Sequence, residues 1–362
     1  MDFSLRPYQA PDFDAPALRS APDAAVCPAP ADGVAPEGFH AMSIWPEYFK
    51  IGGRWRLAGE SRMDCVPVLA GDDIAVTEFR RLRKGDAVIC GRTEDGSEGI
   101  LVHTRGFDGP GEAAERFAFR QSRSRETAFT RDYDELCSLL RYERGHGRIV
   151  WVMGPAFAFD RGARDAFARL VRGGYAHAVL AGNALAAHDL EAAYLGTALG
   201  QDVYTQKNVP NGHYHHLQTI NRVRACGGIP AFLEREGIQD GIVRACHDAG
   251  VPLVLAGSIR DDGPLPGVIA DVYAAQDAMR AEISRATTVI CMATMLHSIA
   301  AGNMVPSYRV TADGGVRQVY FYVADVSEFA VRKLSDRGSL SSRAIVTNVQ
   351  DFIVRVAERL GV

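Results

Sequence analysis

The chain has 362 residues, 47% hydrophobic and 23% charged, with a formal net charge of −4 at pH 7. That length suits two domains with a smaller third, and the charge excludes a broad basic surface for nucleic acid or an anionic membrane. No apolar run approaches the roughly 20 residues of a membrane helix. Asp2 stands where a secretory signal carries basic residues. The seven cysteines form no C-x-x-C pair, the usage of a cytoplasmic protein with reduced thiols.

Residues 1–42 are rich in Ala, Pro and Asp. They read as an arm, either disordered or ordered by wrapping a neighbouring subunit. Residues 43–145 read as a small β-rich domain. Short runs at 48–51, 54–57, 65–69, 74–78, 87–90 and 99–103 are separated by turns at Gly52-Gly53, Gly71-Asp72 and Gly85-Asp86. Helical spacing follows over 126–143, with Tyr133, Leu136, Leu139 and Leu140 on one face and Thr130 or Asp132 as its cap.

Residues 146–362 alternate strands and helices. Strands are expected at 149–153, 176–181, 251–256 and 288–293, with two more at 318–323 and 344–348. Helices are expected at 160–172, 188–195, up to 224, 241–248, 268–285 and 349–360. In the 268–285 helix, Ile269, Val272, Tyr273, Gln276 and Met279 share a side. This alternation predicts an α/β fold with a doubly wound, mainly parallel sheet. In such sheets ligands sit beyond the carboxyl ends of the strands.

The chemistry-bearing residues cluster at those ends. Gly154-Pro155-Ala156 and Gly182-Asn183-Ala184 each follow an apolar strand. Small residues there let backbone amides approach a phosphate, or they simply make the turn; neither loop is G-x-G-x-x-G. In Ser258-Ile259-Arg260-Asp261-Asp262-Gly263-Pro264, Arg260 suits an amino-acid carboxylate and Asp261 an amine. An internal Arg–Asp pair that fixes the loop is the plainer alternative. His213, His215 and His216 lie together in G-H-Y-H-H. They suit substrate or proton handling, or polar packing. No metal is assigned, because a fourth ligand is missing nearby. Met295 and Leu296, in Thr294-Met295-Leu296-His297, can floor a planar ring or fill the core. Asp325 and Asn348 end strands and can hold ribose hydroxyls or cap helices.

Longer motifs carry a resemblance. L-A-G-N-A-L-A-A-H-D-L-E (180–191), G-H-Y-H-H (212–216), L-A-G-S-I-R-D-D-G-P-L-P (255–266) and A-T-M-L-H-S-I-A-A-G-N-M-V-P (293–306), with R-M-D-C (62–65), K-G-D-A-V (84–88) and G-P-A (154–156), resemble the archaeal-type ornithine cyclodeaminases. That group has also been labelled LOR/SDH. The same motifs resemble the C-terminal part of arginine dihydrolase–ornithine cyclodeaminase fusions. The resemblance runs from about residue 44 to the C-terminus. It implies a Rossmann-like domain with bound NAD, conversion of L-ornithine or a close diamino acid to L-proline plus ammonia, and a homodimer or homotetramer.

By motif, the resemblance carries cofactor contacts onto Asn183, Ala184, Asp262, Thr294, Met295, Leu296 and His297, with Asp325, Asn348 and Val349 as further contacts. Three departures stand out. The Pro/Ala-rich arm replaces the family's N-terminal domain, about ten residues are inserted near 310–318, and Asn348 stands where Asp is expected in V-T-D-V. For the reaction, Arg260 is read as the carboxylate clamp, Asp261 as the group that orients or deprotonates an amine, and His216 or His213 as the proton shuttle. The alternatives are an NAD-dependent dehydrogenase, a cyclodeaminase of another amino acid, and a non-catalytic NAD-binding partner.

Overall fold

The computed structural model describes residues 3–107, 130–328, 331 and 339–362; residues 126–129 of the expected helix lie outside them. The N-terminal part carries a short helix α1 (Pro16–Arg19) and two antiparallel sheets. β1 (Ala25–Pro28), β6 (Ala87–Cys90), β4 (Cys65–Ala70) and β5 (Asp73–Glu78) form one, in that spatial order. β3 (Arg54–Leu57), β2 (Glu47–Ile51) and β7 (Ile100–Val102) form the other. Gly52 and Gly53, at φ 60° and 75°, turn β2 into β3, as a tight hairpin requires. Phe49, Ile74, Ile89 and Ile100 fill a shared apolar core.

The arm is not disordered. Residues 3–42 lie on their own chain. β1 pairs with β6 along four residues. Phe3 packs edge-on against Tyr320, and Phe13 packs against Tyr48 and Trp55. The Tyr8 and Tyr48 hydroxyls lie 2.8 Å apart, and Lys50 Nζ donates to the carbonyls of Arg19 and Ala21 at 2.9 and 2.7 Å. Phe3, Tyr8 and Phe13 bring enough apolar area to offset the ordering entropy that an Ala/Pro composition alone would not.

The main sheet is parallel throughout, in the order β12 (Leu253–Ala256), β9 (Ala178–Gly182), β8 (Ile149–Met153), β13 (Thr288–Met292), β16 (Tyr320–Asp325), β17 (Ser341–Val346). Numbered by sequence within the sheet this is 3-2-1-4-5-6, the doubly wound order whose direction reverses between β8 and β13. Side chains alternate between two covered faces. Trp151, Val179 and Ile290 point to the face covered by α2 (Thr130–His146), α3 (Arg161–Arg172), α4 (Asn183–Leu195), α5 (His213–Cys226), α6 (Ile229–Arg235), α7 (Ile242–Ala249) and α10 (Val349–Leu360). Val150, Val152, Leu180, Val289 and Cys291 point to α8 (Val272–Ile283) and α9 (Leu296–Met304). Burial on both faces explains why these strands read as continuous apolar runs. The apolar face of α2 joins the first of these cores, so by packing that helix goes with the parallel sheet.

Three local readings change. The helix after β12 starts at Val272, capped by the Asp271 side chain, while Ile269 bridges to Ala256 in extended backbone. Its buried face is Ala275, Met279 and Ile283; Val272 and Tyr273 are exposed. α4 begins at Asn183, five residues before the expected start at His188. The inserted stretch is a hairpin of β14 (Tyr308–Val310) and β15 (Val316–Gln318). It joins the two parts of the molecule: Tyr308 Oη donates to the Ala58 carbonyl at 2.7 Å, and Ser307 N to the Ser61 carbonyl at 3.0 Å. Half-buried Arg280 reaches across the same junction to Glu78, which buried Arg62 of the N-terminal part also pairs with. Among the described residues no helix is long and apolar enough to cross a membrane.

Candidate active site

A cleft of about 610 Å³ opens where β8, β9, β12 and β13 end, a volume typical of small-molecule sites. Its lining includes Gly154, Pro155, Gly182, Asn183, Ala184, Arg260, Asp261, Asp262, Thr294, Leu296, His297 and His216. Four strand-end loops and the first turn of α5 thus meet at the reversal point of the sheet. At that point the Gly154 amide donates to the Met292 carbonyl at 2.8 Å. A Cβ at Gly154 would run into the Ala293 carbonyl. Ala293 itself holds φ at 54°, a strained left-handed conformation for a residue with a side chain. Glycine at 154 is therefore required by close approach.

The β9 exit is open. Gly182 precedes α4 with no side-chain cap on the helix, and the His297 ring lies 3.0 Å from where a Gly182 Cβ would stand. The first amides of α4 are thus left for a ligand, and a helix start of 13 residues favours an anion. The Asn183 side-chain oxygen accepts from Leu265 N at 2.9 Å, tying the β12 loop to α4 and leaving its amide nitrogen for other partners. Arg224 from α5 holds the same loop through the Pro264 carbonyl at 2.9 Å. An uncapped helix start, glycines at two strand ends and apolar walls fit a dinucleotide such as NAD. Asn183, Ala184, Thr294, Leu296 and His297 are the residues that would hold it.

Within the β12 loop, Asp261 Oδ2 accepts from Ser258 N at 2.8 Å. The carboxylate is therefore partly committed to shaping the loop. Arg260 is exposed on the cleft rim and, among the described residues, has no ion-pair partner. The internal Arg–Asp pair is not what the loop builds. Burial pushes the His297 imidazole below its ordinary range, against the pull of Asp261. Burial, then the neighbouring His188, push His216 down as well, with Glu191 opposing. These two histidines are thereby neutral near pH 7.

Other expected residues lie elsewhere. His213 is exposed at the start of α5, with Tyr214 beside it at 4.3 Å between ring centroids. Met295 is exposed just ahead of α9 and does not line the cleft. Asp325 bonds its own turn, accepting from Ser327 N at 2.9 Å. Asn348 caps α10, accepting from Gln350 N and Asp351 N at 2.8 and 3.1 Å, and Val349 is buried in the core. Asn in place of Asp keeps that cap, because a carbonyl oxygen accepts the same two bonds.

Sequence reasoning missed the cleft's inner wall. His188 lines it, one helical turn before Glu191, and its Nδ1 lies 3.1 Å from Glu191 Oε2. The His188 and His216 rings are 4.8 Å apart. The signal was present as H-x-x-E in A-A-H-D-L-E, one turn apart on a helix. Glu191 also accepts from Thr197 Oγ1 at 2.9 Å, and from Leu199 N and Gly200 N at 3.0 Å each. Burial alone would raise its carboxyl; the bonds from His188, Gly200, Thr197 and Leu199 outweigh it and hold the group low. Among the described residues, His188, Glu191 and His216 are the group with ligand atoms close enough to share a metal, within 4.8 Å. With four donors already on Glu191, the donor set suits a hydrogen-bond hub rather than a coordination shell.

Residues 135–356 match the family model of the arginine dihydrolase ArgZ-like C-terminal Rossmann fold. An ornithine cyclodeaminase of Methanopyrus kandleri is 38% identical over 340 residues, covering 92% of this chain and 77% of that protein. A conserved LOR/SDH protein of Methanococcus maripaludis superposes with a TM-score of 0.84 at 35% identity, covering 94% of this chain and 98% of the other. AgrE, in a ternary complex with ornithine and NAD+, superposes at 0.58 with 32% identity, covering 94% of this chain and 46% of its own. Sheet order, cleft position and these relatives agree: the chain belongs to the family of archaeal-type ornithine cyclodeaminases that share the ArgZ-like C-terminal Rossmann fold.

Proposed function

We propose that this protein is an NAD-dependent cyclodeaminase that closes L-ornithine, or a close diamino acid, to L-proline or its ring homologue with loss of ammonia. The observation that carries this reading is the convergence of Asn183, Asp262 and His297 with Arg260, Asp261 and His216 on one cleft. The related AgrE holds ornithine and NAD+ together in one complex. When bound, NAD+ supplies a hydride acceptor that also returns the hydride, so the reaction has no net redox change.

The chain's own residues handle binding and protons. The Arg260 guanidinium, with no ion-pair partner among the described residues, grips the substrate carboxylate with two parallel bonds. Asp261, fixed by Ser258 N, orients the α-ammonium. Neutral His216, on the cleft wall, is placed to relay protons between the cleft and its surroundings. Leu217, Ile220 and Leu296 line the same cleft and pack the methylene chain, holding both reacting ends on one face. One methylene separates ornithine from lysine, worth only about 1–3 kcal/mol of discrimination, so ring size is decided by assay. The test is to incubate the purified protein with NAD and, separately, ornithine, lysine and 2,4-diaminobutyrate, with products identified by mass. Proline and ammonia from ornithine without build-up of NADH are expected. NADH formed in step with ornithine consumed would make the protein a dehydrogenase instead.

A further inference from the structure

In this reading the substrate's terminal nitrogen arrives as ammonium, since an alkylamine of this kind titrates near ~10.4. It forms a ring only after losing a proton. His216 is a weak store for that proton, because a second imidazole stands against it and no acceptor among the described residues is within hydrogen-bond distance of its Nδ1. That nitrogen is buried, lacks a hydrogen-bond partner and lies 4.0 Å from Glu191 Oε2.

His188 is better prepared. Its side chain is almost wholly buried yet lines the cleft. Its Nδ1 faces Glu191, a fully buried carboxylate that already collects three other donors. A carboxylate accepts only, so His188 Nδ1 must be the protonated nitrogen and Nε2 the lone pair. The same negative charge offsets an imidazolium formed on His188. Thr197 Oγ1, donating to Glu191, also accepts from His215 Nδ1 at 2.8 Å, so the carboxylate is braced from α5 as well.

We propose that His188 is the catalytic base that takes the proton from the substrate's terminal ammonium, and that Glu191 is the positioning residue that fixes its tautomer. This deepens the proposed function and rests on it. The proton passes to His188 Nε2, and the freed nitrogen lone pair forms the new bond to the α-carbon of the α-imine. The bond from the α-carbon to the α-nitrogen then breaks. In all, two protons pass in succession through the imidazole from the terminal nitrogen to the departing one. A terminal ammonium and an α-imine thus become a cyclic iminium and ammonia, with the total charge unchanged.

The test is His188→Asn. Its amide can still donate to Glu191, so the inner wall keeps its bond, but no base remains. Expected are a fall in kcat of about 100-fold or more, a much smaller change in KM, unchanged NAD affinity, and partial recovery of kcat with added imidazole. Glu191→Gln should also lower kcat at unchanged NAD affinity, because the amide would turn His188 into the wrong tautomer. A His188→Asn variant with wild-type kcat overturns the proposal, as does stoichiometric zinc on the purified wild-type protein. A second measurement needs no variant: diethyl pyrocarbonate should label His188 in the free wild-type protein, and ornithine with NAD should block it. Absence of labelling in the free protein, or labelling unchanged by the ligands, overturns it too. A wild-type protein that consumes none of the three diamino acids ends the functional reading itself; turnover that survives His188→Asn ends this inference alone.

Discussion

β8 and β9 lie side by side in the sheet, and each gives way to a helix at its carboxyl end, but the two exits are built oppositely. After β8 the chain is closed. Gly154 is pressed onto Ala293, and Asp160 caps α3 by accepting from Ala163 N at 2.7 Å. A carboxylate already occupies that helix start, so it repels a phosphate. After β9 the chain is open: Gly182 offers no cap, and the first amides of α4 face the cleft. The difference explains how a doubly wound fold can offer a dinucleotide cleft without G-x-G-x-x-G. The glycines that matter are one for close approach at β8 and one for access at β9.

Substitutions can break this contrast. Gly154→Ala sets a methyl group against the Ala293 carbonyl; a loss of about 3 kcal/mol of stability is expected in denaturant unfolding. A variant as stable as wild type would mean that the two loops are not packed together. Asn183→Asp is nearly isosteric and keeps the acceptor for Leu265 N, but adds a negative charge at the α4 start. NAD affinity should fall roughly tenfold, or about 1.4 kcal/mol, measured by calorimetry. Equal affinity would move the diphosphate away from α4. Asp160→Ala, at the closed exit, should lose about 1 kcal/mol of stability and leave NAD affinity as it was.

The smallest expected effect is on pH. His216 and His297 at the cleft, and His177 at the other end of the sheet, all have imidazoles held below the ordinary value by burial first. His177 Nδ1 accepts from Ile149 N at 2.9 Å, which needs the neutral ring. The unfolded chain therefore binds more protons below about pH 6.5, and stability should fall as pH drops from 7 toward 5. Unfolding midpoints that stay level over that window would contradict the three buried neutral histidines.

Much of this was legible before any coordinates. Ile149–Met153 reads as a strand because both its faces are covered, and the loops after β8, β9, β12 and β13 stand out because small and polar residues interrupt apolar runs. What was hidden depended on partners distant in sequence. Phe3, Tyr8 and Phe13 anchor a segment whose Ala and Pro content suggests disorder. Val272 and Tyr273 look like a helix core until Ile269 is seen in extended backbone. His188 and Glu191 passed without a role in the sequence, because only the fold brings Thr197, Leu199, Gly200 and His216 against them. Asp325 and Asn348 stand at strand ends, where one carboxylate oxygen of Asp325 accepts from its own turn and the Asn348 oxygen caps α10.

Whether one cleft serves both a dinucleotide and a diamino acid is tested most directly by Arg260→Ala, titrated with NAD and assayed with ornithine in the same preparation. The guanidinium is exposed, without an ion-pair partner among the described residues, so the fold should be unaffected. The expected result is wild-type NAD affinity with proline formation reduced by about 100-fold or more. Proline formed at the wild-type rate, or loss of NAD binding along with turnover, would contradict the site as drawn.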